Sequence, residues 1–360
     1  MGRMNKARIL LLPGDGIGPE VMSVARKALE VAAASRMNIE TVDGLIGGAS
    51  IDAHGVPITD AQLKAARRCD AVLLGAVGGP AWKDIPHNLR PEQGLLDLRQ
   101  TLGVYANLRP ISVFPQLVDS SPLKRQIIEG TDIMIVRELI GGIYFGKPRG
   151  ERTTARGRRA FDTEVYYQSE IERIARTAFE TARQRRRKVT SVDKANVLAS
   201  SVFWREIVTK VHREYSDVKL EHMYVDNCAM QIVRDPRQFD VICTGNMFGD
   251  ILSDEASMVS GSIGMLASAS LGKGRGLYEP IHGSAPDIAG RDIANPCAMI
   301  LSLAMMFRHS LGRADIADLI EKAVSKALSQ GYRTADIAAD GEARTGTRQM
   351  GTVIAGLIQG

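Results

Sequence analysis

Residues 7–12 (ARILLL) form a short apolar run that stops at Pro13-Gly14, the pattern of a buried strand closed by a turn. After Pro19, apolar positions Val21, Val24, Ala25, Ala28, Leu29 and Val31 recur at helical spacing and predict a helix over 20–34. A helix over 61–68 leads into a second apolar run, AVLLGAVG, again ended by glycine. Further buried strands are predicted at 132–137, 189–193 and 240–245, and helices at 169–186, 296–310, 314–329 and 345–357. Residues 245–249 read as a turn before a helix over 250–258. Alternation of strands and helices predicts an α/β fold with a mostly parallel sheet. A length of 360 residues suggests two domains.

Residues 146–162 break this rhythm: they are basic, contain glycine and carry few apolar side chains. Such a stretch inside a compact chain is expected to be mobile or packed on another subunit. The run RQRRRK (183–188) reads as the polar end of a helix, where cations are favourable. Lys and Arg total 46 against 41 Asp and Glu, and the two signs are interspersed. A formal charge of +5 therefore suits a small anionic substrate and gives no footprint for nucleic acid. The cysteines at 69, 228, 243 and 297 form no CxxC pair, as in reduced packing thiols of a cytoplasmic protein. No signal-peptide core opens the chain, and the longest apolar run, 298–307, is about half a membrane span. A soluble protein with no membrane partner is expected.

Gly14-Asp15-Gly16-Ile17-Gly18-Pro19 follows a strand and opens a helix, which invites a dinucleotide-fingerprint reading. The fingerprint needs a glycine where Pro19 stands, so that pattern fails. The longer string LLPGDGIGPEV resembles the opening of the β-decarboxylating dehydrogenases, the family of isopropylmalate, isocitrate, homoisocitrate and tartrate/malate dehydrogenases. Eight further segments match it in order: GAVGGPAW, RPEQGLLDLR, YANLRP, VRELIGGIYFG, SVDKANVL, VDNCAMQIV, GNMFGDILSDEAS and GLYEPIHGSAPDIAG followed by IANP. The resemblance implies the family's two-domain isopropylmalate dehydrogenase-like α/β fold, which is not a true Rossmann fold. One domain would combine 1–105 and 260–360; the other, 106–259, would carry the dimer interface and an arm. Ile140 stands where the family usually has Thr, removing a hydroxyl close to the expected catalytic tyrosine.

The resemblance implies NAD-linked, metal-dependent oxidative decarboxylation of a small malate-type substrate. Carboxylates suit planar guanidinium forks, and the motifs select Arg99, Arg109 and Arg137. Asp250 and Asp254 lie four apart and project from one helical face; spacing alone leaves a solvated pair open. In the family pattern they join Asp226 as all-oxygen ligands of Mg²⁺ or Mn²⁺. Lys194 is the implied base for the substrate hydroxyl and Tyr144 the acid that protonates C3. Lys194 and Asp226 would cross the interface of a homodimer with shared active sites. Tyr166 and Tyr167 are selected by no motif and read as packing or subunit-contact residues.

The substrate's third substituent distinguishes family members. Leu95 and Leu96, with Val197 from the second subunit, offer an apolar pocket. Burying a branched alkyl group contributes roughly 1.5–3 kcal/mol, which favours an isopropyl group over an extra carboxylate; the resemblance then implies the family's role in leucine formation. A tartrate or D-malate substrate is the runner-up, and a catalytically silent subunit is a third possibility that the intact Tyr144, Lys194 and aspartates argue against. Cofactor binding is implied for two stretches. Gly79 and Glu92 bound the nicotinamide side; His282, Gly283, Ser284, Ala285, Asp287, Ile288 and Asn295 surround the adenosine. Asp287 facing the ribose would favour NAD over NADP, although it could also cap a helix starting at Ile288.

Overall fold

The computed structural model describes residues 6–359. They form two compact units, each built around five strands, and the second also carries a two-stranded hairpin. The first unit takes the chain up to Val104, the segment Phe114–Arg125 and everything from Ser260 onward; the second takes Tyr105–Val113 and Gln126–Val259. Phe114–Arg125 is a departure from the expected boundary. Its short 3₁₀ helix Pro115–Ser120 buries Leu117 and Val118. Gln116 donates to Ser329 Oγ at 2.7 Å, and Arg333 donates to the Gln116 carbonyl at 3.0 Å, which ties the segment to the C-terminal helices.

In the first unit the strands run in the order Asn38–Asp43, Lys6–Gly14, Ala71–Ala76, Gly276–Pro280, Ala267–Leu271. All neighbours are parallel except the last pair. Ile9 to Leu12 are buried without alternation, as a parallel strand covered on both faces requires. Helices Gly18–Ala33, Cys297–His309, Ala314–Ser329 and Thr347–Gln359 follow the predicted apolar periods closely. Pro19 sits in the first turn of its helix, where a missing N–H costs nothing.

In the second unit the order is Ala106–Ser112, Asp132–Glu138, Val241–Thr244, Lys188–Asp193, Lys219–Tyr224. The first pair is antiparallel and the rest are parallel. Helices Gln168–Arg183, Ala199–His212, Val225–Arg234 and Asn246–Ser257 accompany this sheet. The carboxyl ends of its parallel strands lead into the segments bearing Arg137, Lys194, Asp226 and Asn246, the usual location of ligand sites in open α/β sheets. Helix Asn246–Ser257 begins four residues before the expected start at 250. Gly249, read as a turn glycine, lies inside this helix, where a Cβ would stand 2.6 Å from Arg137 Cγ and glycine leaves room for that side chain. The basic stretch is also more regular than expected: Gly150–Thr154 and Gly157–Phe161 form an antiparallel hairpin exposed along almost its whole length.

Candidate functional site

Arg109 and Arg137 rise from neighbouring antiparallel strands and meet the carboxylates of helix Asn246–Ser257. Arg137, 2% exposed, donates through Nη1 to Asp250 Oδ1. Arg109 Nη2 lies 3.4 Å from that same oxygen, and its Nη1 lies 3.5 Å from Asp254 Oδ1. Arg109 is further held by Ser253 Oγ and by Asn107 Oδ1, the latter at 2.6 Å from its Nε. Two buried guanidiniums need counter-charges, and the one-turn spacing of Asp250 and Asp254 supplies them. The Tyr144 hydroxyl donates to Asp250 Oδ2 at 3.0 Å. Burial and then the charge of Asp250 push this phenol above its ordinary range, so it stays protonated at neutral pH. Burial also raises Asp254, with Arg109 pulling the other way.

Lys194 and Asp226 form a second, separate group. Lys194 follows strand Lys188–Asp193, and its Nζ lies 2.6 Å from Asp226 Oδ1 in the first turn of helix Val225–Arg234. The ammonium holds the Asp226 carboxyl below its usual range. Val197, nearby in sequence, is 69% exposed. Among the described residues no three His, Cys, Asp or Glu side chains of one chain converge on a metal-sized point. The expected trio Asp226, Asp250 and Asp254 is thus not assembled within a single chain. Met230, Val233, Ile251 and Met258 leave apolar surface exposed on or beside the two helices bearing these aspartates.

In the first unit, helix Pro91–Leu102 carries Glu92, Leu95, Leu96 and Arg99. Arg99 is buried and pairs with Glu279 at 2.9 Å, and its Nε has no hydrogen-bond partner. Leu96 is half-buried, while Leu95 packs partly on this unit's core. The loop that imitates a dinucleotide fingerprint braces the loops around it. Asp15 accepts from the backbone N–H groups of Gly48, Ala49 and Gly78, each at 2.8 Å. Gly78 adjoins Gly79, at the head of the expected nicotinamide stretch. Ile17 N–H donates to the Ser284 carbonyl at 2.8 Å, and a Cβ on Gly16 would lie 1.9 Å from that oxygen. His282 Nδ1 lies 3.0 Å from the Gly283 carbonyl, while its Nε2 is buried without a partner. Ala285 adopts φ +37°. Asp287 is exposed and lies in a run of turns; no helix starts at Ile288, which removes the capping reading. Asn295 commits its side chain internally, donating to Asp336 at 2.9 Å and accepting from Cys297 N–H at 2.9 Å.

The sequence profile described as isocitrate/isopropylmalate dehydrogenase matches residues 8–354. The chain belongs to the isocitrate/isopropylmalate dehydrogenase family. It is 58% identical over 355 residues to a 3-isopropylmalate dehydrogenase of Pseudomonas syringae, covering 98% of this chain and 99% of that one. Its identity to a protein of the same name from Saccharophagus degradans is 56%, with the same coverage. The crystal structure of isocitrate dehydrogenase from Methylococcus capsulatus is similar at TM-score 0.88 and 35% identity, covering 98% of this chain and 100% of that one. That of a β-decarboxylating dehydrogenase from Thermococcus kodakarensis gives 0.78 and 39%, covering 98% and 96%.

Motif matching within the family missed the residues that hold the site together. Tyr166, read as a packing residue, accepts from Asn246 N–H at 2.7 Å, filling the cap position that Gly245 cannot. Glu138 accepts from Gly141 N–H at 2.7 Å and pairs with Arg173 at 2.9 Å; burial nevertheless pushes it up to about 7. The available signal was a charged residue inside an apolar strand, since a buried charge needs partners. Ile140 is half-buried and lines a cavity of about 310 Å³ beside Phe145 and Val165.

Proposed function

We propose that this chain catalyses the NAD-linked, divalent-metal-dependent oxidative decarboxylation of 3-isopropylmalate to 4-methyl-2-oxopentanoate and CO₂, in leucine biosynthesis, as a homodimer with shared active sites. One observation carries the chemistry: Tyr144, Asp250, Arg137 and Arg109 are locked into one hydrogen-bonded group with Asp254 at its edge. The substrate assignment draws on the relatives named above and on Leu96 and Val197, which remain partly or largely exposed and available to an alkyl group.

The residues present fit both implied groups. Asp250 and Asp254 are an all-oxygen donor pair, with Asp254 side chain 59% exposed, as Mg²⁺ or Mn²⁺ ligation requires. Asp226 would complete the set from the partner subunit, in keeping with its separation from the pair within one chain. The buried unpartnered Nε2 of His282 suits a hydrogen bond from or to an adenine. The exposed Asp287 carboxylate suits the two free hydroxyls of the NAD ribose. When bound, the dinucleotide accepts hydride and the metal ion stabilises developing negative charge. Arg109 and Arg137 would hold the substrate carboxylates. Lys194, from the partner and in its neutral amine form, would take the hydroxyl proton as hydride leaves C2. Loss of CO₂ leaves an enolate, and Tyr144, kept protonated by its surroundings, delivers a proton to C3. The exposed hairpin and the apolar residues Met230, Val233, Ile251 and Met258 support a second copy as the partner.

The test is NADH absorbance with 3-isopropylmalate, isocitrate and D-malate, each with Mn²⁺ and with chelator. Isopropylmalate should be turned over fastest, and only with metal. A preference for D-malate or isocitrate, or chelator-resistant turnover, overturns the assignment.

A further inference from the structure

Asn246 is the first residue of the helix that carries Asp250 and Asp254, and it is 1% exposed. Its Oδ1 accepts two hydrogen bonds from Arg137, from Nη2 at 2.7 Å and from Nε at 3.1 Å. Its Nδ2 donates to the carbonyls of Leu139 and Gly141, each at 3.0 Å, straddling Ile140. Its backbone N–H donates to the Tyr166 hydroxyl. These partners admit one amide orientation only. Turned over, the amide would set its NH₂ against a guanidinium and its oxygen against two carbonyls, leaving all four bonds unmade.

We propose that Asn246 is a positioning residue that sets Arg137 and the loop leading to Tyr144 in a fixed relation to Asp250. The proposal rests on the roles given above to Arg137 and Tyr144. With the Nε edge of Arg137 clasped by Oδ1, its Nη1 end is directed at Asp250. The Nδ2 arm acts separately. It pins the backbone at 139 and 141, three residues before Tyr144, and Glu138 holds the same turn through Gly141 N–H. One side chain therefore has two functions on two opposite atoms. A bulkier, longer or charged residue cannot serve both: Asp keeps the acceptor and loses the donor, and Ala loses both.

The two arms can be read apart. Asn246→Asp, Asn246→Ala, Arg137→Lys and the double variant Asn246→Ala/Arg137→Lys are compared with wild type in the full-length protein with Mn²⁺. Binding of 3-isopropylmalate is measured by calorimetry, KM for NAD and kcat by NADH absorbance, and folding by circular dichroism. Asn246→Asp should bind isopropylmalate within about 3-fold of wild type while kcat falls ~10- to 100-fold, the scale of a misplaced catalytic group. Asn246→Ala should lose at least ~10-fold in isopropylmalate affinity as well, with KM for NAD unchanged. The double variant should bind no more weakly than Arg137→Lys alone, because Asn246 acts on the substrate through Arg137. Additive losses in the double variant, equal effects of Asp and Ala, or a parallel rise in KM for NAD would overturn the proposal. If Asn246→Ala does not fold, the contrast between binding and kcat in Asn246→Asp decides alone. A wild type inert toward isopropylmalate sinks the functional assignment instead. Wild-type turnover with indifferent Asn246 variants sinks only the positioning role.

Discussion

The Arg109–Arg137–Asp250–Tyr144 cluster and the Lys194–Asp226 pair contain the same kinds of groups and are built in opposite ways. In the cluster, both guanidiniums are buried and both are held by side chains that have further partners of their own. The Lys194–Asp226 pair is a single contact, with the Asp226 side chain 61% exposed, and an exposed ion pair of this kind adds little to stability. Buried polar networks fix geometry because every unmade bond is costly; an exposed pair can be exchanged for another partner at little expense. One half of the proposed chemistry is thus fixed by the fold of one chain. The other half lies exposed, as the proposed sharing between two copies requires.

The largest expected effects break this division directly. Asp250→Asn and Lys194→Met should each lower kcat ~1000-fold or more, with native circular dichroism. Mixed and re-equilibrated, the two inactive proteins should recover about a quarter of wild-type activity, since half the dimers are hybrids and one site in each escapes both lesions. Verified hybrids without activity would count against the shared site. Next in size, Tyr144→Phe should lower decarboxylation with protonation ~100-fold and leave reduction of the corresponding keto acid less affected, whereas Lys194→Met should impair hydride transfer itself. Stopped-flow measurement of the partial reactions separates these; equal loss in both variants would reject the acid and base roles.

Asp287 belongs with the exposed set, so its replacement should change what binds and leave stability alone. Asp287→Lys should shift the NAD to NADP ratio of kcat/KM ~10-fold or more toward NADP, with Tm unchanged. A wild type that already accepts both dinucleotides equally would reject the role. Glu138 belongs with the braced set and gives the smallest effect. Its folded carboxyl titrates at about 7 against an ordinary 4.5, so the folded state holds the extra proton between those values. Raising the pH through this window favours the unfolded state. Glu138→Gln should flatten the decline in Tm from pH 5 to 8 by several degrees, the order expected from a shift worth roughly 3 kcal/mol. An unchanged slope would place the titration elsewhere.

What could be read from the sequence divides along the same line. Apolar periods located the strands and most helices, because burial on one or both faces leaves a period in the residue types. Spacing put Asp250 and Asp254 on one helical face, and the motifs named Arg109, Arg137 and Tyr144. The bracing around them was not legible. Asn246 and Tyr166 lie 80 residues apart and meet only in the folded chain. The start of the helix at Asn246 was hidden by Gly245 and Gly249, which in a one-dimensional reading signal a turn. The grouping of Phe114–Arg125 with the first unit was not legible either, because its anchors, Ser329 and Arg333, come more than two hundred residues later. The 146–162 stretch gave no strand signal because pairing with itself, with hardly any apolar face, leaves no period to find.

The contact between Gly16 and the Ser284 carbonyl also bears on how such sequences change over time. At 1.9 Å there is no room for even one methyl group, whatever molecule the neighbouring loop goes on to hold. A descendant with another cofactor preference could exchange Asp287 if its proposed role holds, and one without the proposed activity could discard Tyr144. Neither could accept an alanine at 16 without rebuilding both loops.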